Sequence, residues 1–168
     1  MPRVPFADLP DDSRLWVFPL SRSLTAEEES VVLARVDAFL GDWAAHGAPL
    51  TTGRDWTEGR FLHVAVDEAT VPPSGCSIDN MARVLKEMGA EFGMEFLDHG
   101  PIWFRQGGAL HQVDRKTFRE LVEEGGVELD TPVFDNSITR LSQLRKGEWE
   151  RPAGASWHRR AFFPNRDG

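Results

Sequence analysis

The chain's single cysteine stands in "SGCSIDNM", Ser74 to Met81, between an apolar run ending in Val66, Asp67 and Glu68 and a stretch with helical spacing. Three chemistries suit that position. A thiol at a helix N-terminus is biased toward thiolate and can serve as a nucleophile or redox sensor. Free backbone N–H groups there bind anions, with Gly75 permitting close approach and Ser77 capping or donating. The third is structural: a small residue packs where the loop turns into the helix, Ser77 or Cys76 caps it, and Asp79 suits the positive end of its dipole.

The neighbours discriminate among these. Asp67, Glu68 and Asp79 oppose a thiolate by like charge. A nucleophile also needs a base. His46 falls at the far end of the first predicted helix, roughly 30 Å from its start at the rise of an α-helix. His63 is mid-strand, and His158 lies in the C-terminal tail, where nothing in the sequence brings it to Cys76. The expected pocket comprises Arg22, Asp67, Glu68, Gly75, Cys76, Ser77 and Asp79, with Cys76 catalytic only if the protein is an enzyme. The reading leans away from an enzyme.

"FLHVAVDE" has the form of a Walker B strand, an apolar run ending in acids that handle Mg²⁺. Its partner is missing: no G-x-x-x-x-G-K-[ST] occurs in the chain, which argues against a P-loop ATPase. The five histidines form no H-E-x-x-H, and one cysteine cannot make a Cys-rich zinc knuckle. No metal and no cofactor are predicted.

The formal charge of −8 disfavours nucleic acid and anionic membrane as partners. A lone cysteine makes no intrachain disulfide and fits the reducing cytoplasm. The first residues, "MPRVPFADLPDD", have no apolar core of a signal peptide, and no apolar run reaches the length of a membrane span.

The elements that position these residues are legible from periodicity. Residues 1–13, with three prolines and three aspartates, read as a flexible arm. "RLWVFPL" is a strand. Thr25 and Glu28 form a capping box opening a helix in which Val32, Val36, Phe39 and Trp43 recur at helical spacing, with Gly47 as its stop. Strands are expected at 49–57 and 60–67, joined by a "TEG" turn. A helix over 77–92 carries Ile78, Met81, Leu85, Met88 and Phe92 inward, and a short strand follows at 94–98. The order βαββαβ is the ferredoxin-like arrangement, with both helices on one face of an antiparallel sheet. The loops after its first and third strands are expected at one sheet edge, bringing Arg22 to Cys76. The fold class is therefore α+β: a ferredoxin-like domain over 14–98, then a small β-rich module with one helix over 99–168.

That module reads as two strands about Gly107–Gly108, a helix capped by Asp114 with Phe118, Leu121 and Val122 inward, a strand in "DTPVFDN", and a tail rich in Trp and Phe. The open face of the first sheet carries Phe61 and His63. Aromatics on central strands are where RNA-recognition domains stack bases, but the basic, glycine-containing string is absent. The module or a second subunit is expected to cover that face.

With "WAAHGAPL", "RFLHVAVDE", "SGCSID" and "SWH", the sequence resembles a small bacterial family of unassigned function, some of whose members carry a transporter-ATPase label. The resemblance brings no activity. Residues 101–153 resemble GYF-like modules through "FRELVEEGGVELDTPVFDN", a following Trp and "RPA". That resemblance implies binding of proline-rich or other peptides. The sequence thus predicts a noncatalytic binding or regulatory protein. Its partner would be a small anionic ligand at helix N-termini, a protein or peptide on an aromatic face, or a second copy in a homodimer. The alternative is a cysteine-dependent enzyme or redox sensor using Cys76.

Overall fold

A computed structural model describes residues 3–97 and 100–164 of the 168-residue chain. It is an α+β protein in two compact units. Unit 1 comprises Met1–Asp98 with Thr139–Ser142, and unit 2 comprises His99–Ile138 with Gln143–Gly168. Among the described residues, no helix is long and apolar enough to cross a membrane.

Unit 1 contains β1 (Arg14–Pro19), α1 (Ala26–Asp42), β2 (Ala44–Ala45), β3 (Ala48–Pro49), β4 (Thr52–Thr57), β5 (Phe61–Val66) and α2 (Gly75–Phe92). Its sheet runs β1-β5-β4, antiparallel throughout. Alternation sends Trp16, Phe18, Leu20, Leu62, Val64 and Val66 into one core with Val32, Val36 and Leu40 of α1 and Met81, Leu85 and Met88 of α2. On the other face Leu15, Val17, Phe61, His63 and Ala65 are all buried as well, so Phe61 and His63 offer no stacking surface.

The strand expected at 94–98 is a single antiparallel bridge, Leu20 to Phe96, on the outer edge of β1. Ser21 N–H donates to Glu95 O, and Leu97 N–H donates to Pro19 O. Pro19 has no N–H to return the bond to Leu97, so the ladder stops there. His99 and Asp98 lie outside the described residues.

Three other local expectations differ. Residues 3–13, expected as a flexible arm, are packed: Val4 N–H donates to Thr52 O at 2.7 Å, Leu9 and Ser13 are buried, and a Cβ at Gly53 would come within 2.9 Å of Leu9. α1 ends at Asp42 rather than running on to Gly47. His46 (φ 51°) and Gly47 (φ 80°) form the two-residue turn between β2 and β3, a geometry that needs positive φ at both positions. Residues Thr139–Ser142 return to unit 1, where Leu15 N–H donates to Thr139 O and Leu141 N–H to Ser13 O.

Unit 2 contains β6 (Ile102–Gln106), β7 (Ala109–Val113), α3 (Arg115–Glu123), β8 (Pro132–Phe134), α4 (Leu141–Arg145, whose first two residues belong to unit 1), β9 (Glu150–Pro152) and α5 (His158–Phe162). Its antiparallel sheet runs β7-β6-β8-β9. Gly107 and Gly108, both at positive φ, turn β6 into β7, and Asp114 Oδ1 accepts from Thr117 N–H to cap α3. Phe104, Phe118, Val122, Val127, Val133 and Phe162 form its core. The tail therefore supplies a strand and a short helix of its own, where one helix had been expected for the whole module.

Candidate functional site

The Cys76 loop is a helix cap. Ser74 is the N-cap of α2: its hydroxyl accepts from Ser77 N–H, and Ser77 Oγ accepts from Ser74 N–H and donates to Ser74 O. This is a capping box with serine where Glu or Gln usually stands, which is why the sequence pattern missed Ser74. Ser77 is buried, and its carbonyl accepts from the buried Trp43 indole at 2.8 Å. Gly75 and Asp79 are exposed, and the Cys76 thiol is exposed too. Asp67 Oδ1 accepts from Ala69 N–H in its own loop, and Glu68 pairs with Arg140.

Arg22 stands elsewhere. In the antiparallel register Pro19 of β1 lies opposite Phe61, the first residue of β5, so the loops after β1 and β5 leave opposite ends of the sheet. Arg22 grips Glu28 with two bonds, at 3.0 and 2.7 Å, and donates to the carbonyls of Phe92 and Gly93. Those carbonyls are at the C-terminal end of α2, roughly 24 Å from Cys76 at the helical rise per residue. Arg22 thus ties two helix ends, and the ion pair holds the Glu28 carboxyl down at about 2. Of the seven predicted site residues, Gly75, Cys76 and Ser77 share the first turn of α2, Asp79 falls just beyond it, Asp67 and Glu68 lie in the loop before it, and Arg22 is separate.

His46, expected far from this loop, is exposed in the β2–β3 turn three residues after Trp43, whose indole donates to Ser77 O, so that turn sits at the end of α2 that carries Cys76. His63 is buried in β5 with Nε2 3.0 Å from Thr57 Oγ1, and burial pushes it down to about 4. His158 is buried in unit 2, with Nδ1 2.8 Å from Ser156 Oγ. Among the described residues, no group of His, Cys, Asp or Glu is arranged to hold a metal.

A different surface stands out in unit 2. Trp157 is, with Val31, one of two exposed large apolar side chains among the described residues. Its indole stacks on His158, ring centroids 3.9 Å apart. The Arg115 guanidinium lies 5.6 Å from the Trp157 ring and 5.1 Å from the Phe162 ring, and Arg119, one turn along α3, lies 5.5 Å from Phe162. A cavity of about 230 Å³ opens beside them, lined by Arg119, Val122, Glu123, Ala161, Phe162 and Phe163, with Pro164 at its end. The sequence held one signal for this surface: "SWHRRAFF" interleaves basic and aromatic residues. What it could not show was that α3 supplies the two stacking arginines. No protein family, no curated protein and no solved structure matches the chain.

Proposed function

We propose that this is a noncatalytic binding protein whose unit 2 docks a peptide segment on the surface formed by Arg115, Arg119, Trp157 and Phe162. The observation that carries it is an exposed indole held in place by a buried histidine and flanked by two aromatic-stacked arginines. Such anchors, large and amphipathic with little conformational freedom to lose, dominate binding energetics at interfaces. The adjoining cavity, about 230 Å³, is below the 300–1,000 Å³ usual for small-molecule sites and suits one side chain. The GYF-like resemblance of residues 101–153 is to peptide-binding modules; it takes in Arg115 and Arg119, and Trp157 and Phe162 lie beyond it.

The remaining parts of the reading are finer than the α+β class. We take unit 1 as a ferredoxin-like core: the order of the Phe96 bridge, β1, β5 and β4, with α1 and α2 packed in one core, supports it. The single cysteine supports the cytoplasm as its compartment. The enzyme alternative finds an exposed thiol, with His63 and His158 both buried, and the anionic-ligand reading finds a helix end whose Ser77 N–H is already taken by Ser74.

Selection from a displayed peptide library tests the proposal. Enriched peptides should bind the intact protein and the Cys76→Ser variant equally, and should lose binding to Trp157→Ala, which thermal unfolding should show to be folded. No enrichment, or binding indifferent to Trp157→Ala, would refute it.

A further inference from the structure

The charge distribution goes further and names the partner's chemistry; this step rests on the docking surface just proposed. Unit 1 holds seventeen Asp and Glu against nine Lys and Arg, while unit 2 holds ten of each. The whole net charge of −8 therefore belongs to unit 1. Within unit 2 the balance is local as well. Arg115, Lys116 and Arg119 occupy the first half of α3, and Arg159 and Arg160 sit in α5, which carries no acid. Asp114 is committed to the Thr117 N–H and Glu120 to Lys116, which leaves Glu123 as the one acid lining the cavity, against Arg119.

Arg115 and Arg119 have no carboxylate partner among the described residues; what they touch is aromatic. Their guanidiniums share the Phe162 ring. Like charges one turn apart on a helix repel. A guanidinium can pack against a ring and still present N–H groups to a carboxylate, which it takes two bonds at a time. An anion placed between them relieves the repulsion and satisfies those donors.

We infer that the occupant is an acidic segment of another protein, with Asp or Glu side chains on Arg115 and Arg119 and a neighbouring apolar side chain in the cavity beside Phe162 and Phe163. A short acidic segment engages only the local patch, because charges beyond about 8 Å are screened at physiological salt. A net charge of −8 supplies no long-range attraction for an extended polyanion such as nucleic acid.

The test is fluorescence anisotropy of the intact protein with short labelled peptides. Each has a central Phe flanked by Glu and Asp, by Gln and Asn, or by Lys, and a labelled single-stranded DNA serves as polyanion. The acidic peptide should bind about tenfold or more tighter than the neutral one, and Arg115→Glu or Arg119→Glu should each remove about that much. Both arginines are exposed, so thermal unfolding should be unchanged in the variants. If the neutral peptide binds as well and the reversals change nothing while Trp157→Ala abolishes binding, the acidic partner is wrong and the docking surface stands. Tighter binding of DNA overturns the inference. A concentration-dependent dimer that Arg119→Glu dissolves also overturns it and gives the surface to a second copy. If none of the probes binds, both the inference and the docking surface fall.

Discussion

Among the described residues each unit contains one fully buried histidine, and together they set how the protein meets acid. His63 and His158 are both held down to about 4, in each case chiefly by burial. Asp55 pulls His63 back up; Asp135 does the same for His158, while Arg115 and Arg151 push it further down. In the unfolded chain an imidazole titrates near 6.5. Between those values the unfolded state carries a proton that the folded state refuses, so stability is full above about pH 6.5 and falls as pH falls toward 4. From pH 7 to pH 5 the linkage relation gives a loss of about 2 kcal/mol for each ring. The carboxylates do not confuse this window. Glu28, held at about 2 by Arg22, has an ordinary value of 4.5, so its contribution is lost only below that. Urea unfolding at pH 7 and pH 5 reads the effect, and at ordinary denaturant sensitivity about 2 kcal/mol moves the midpoint by roughly 1 M. His158→Asn keeps a polar atom near Nδ1 for Ser156, and His63→Gln keeps one near Nε2 for Thr57. Each variant should lose its own share of the pH 7-to-5 decline. If both variants decline as steeply as the parent, or if the NMR signals of His63 and His158 in the folded protein, assigned through these variants, titrate near 6.5, the burial argument is refuted.

Three further outcomes follow from the same geometry. Gly93 ends α2 at φ 65° with Met94 N–H donating to Gly89 O and its own N–H to Ala90 O. Gly93→Ala should therefore cost about 1 kcal/mol in urea unfolding, and no loss would refute the left-handed cap. Cys76 is exposed, so Cys76→Ser should change stability by less than about 0.5 kcal/mol, and alkylation should proceed without unfolding; a reagent that reacts only with the denatured chain would contradict its placement. A fragment ending at residue 97 loses the Thr139–Ser142 strap, with its backbone bonds to Asp11, Ser13 and Leu15 and the buried Leu141. Unit 1 should then be less stable by about 3–5 kcal/mol, and equal stability of the fragment would show the strap to be idle.

Much of the local structure was legible because it is written in short-range rules. Thr25 and Glu28 make the capping box the spacing predicts, Asp114 caps α3, and Gly107–Gly108 turns a hairpin. The errors have local causes too. Gly47 reads equally as a helix stop or as half of a hairpin turn, and only the partner strand at Ala48 decides. Ser74 was hidden because a serine replaces the usual acid of the box. The larger error was one of direction: neighbouring antiparallel strands end at opposite ends of a sheet, so the helices that follow β1 and β5 cannot begin side by side. That separates Arg22 from Cys76 and dissolves the predicted common pocket. The surface in unit 2 was illegible for the converse reason. Arg115 and Trp157 are forty-two positions apart, and no periodicity links them.

The Trp157 surface and the response to acid share one ring. His158 is the buried partner on which the exposed Trp157 indole stacks, and Arg115, which crosses both the Trp157 and Phe162 rings, also bears on its charge. His158 Nε2 has no hydrogen-bond partner among the described residues, so a proton placed there gains no bond to offset burying the charge. Arginine stays cationic at any pH the fold survives, and the carboxylates of an acidic partner stay anionic well below pH 6. The electrostatics of the proposed docking are therefore indifferent to mild acid, and so is the support beneath Trp157 while the chain stays folded, because His158, held at about 4, remains neutral there. If the proposed surface is built this way, acid between pH 6.5 and 5 lowers the stability of the fold and leaves the affinity of the folded protein unchanged, so peptide anisotropy and urea unfolding measured at both pH values separate the two effects.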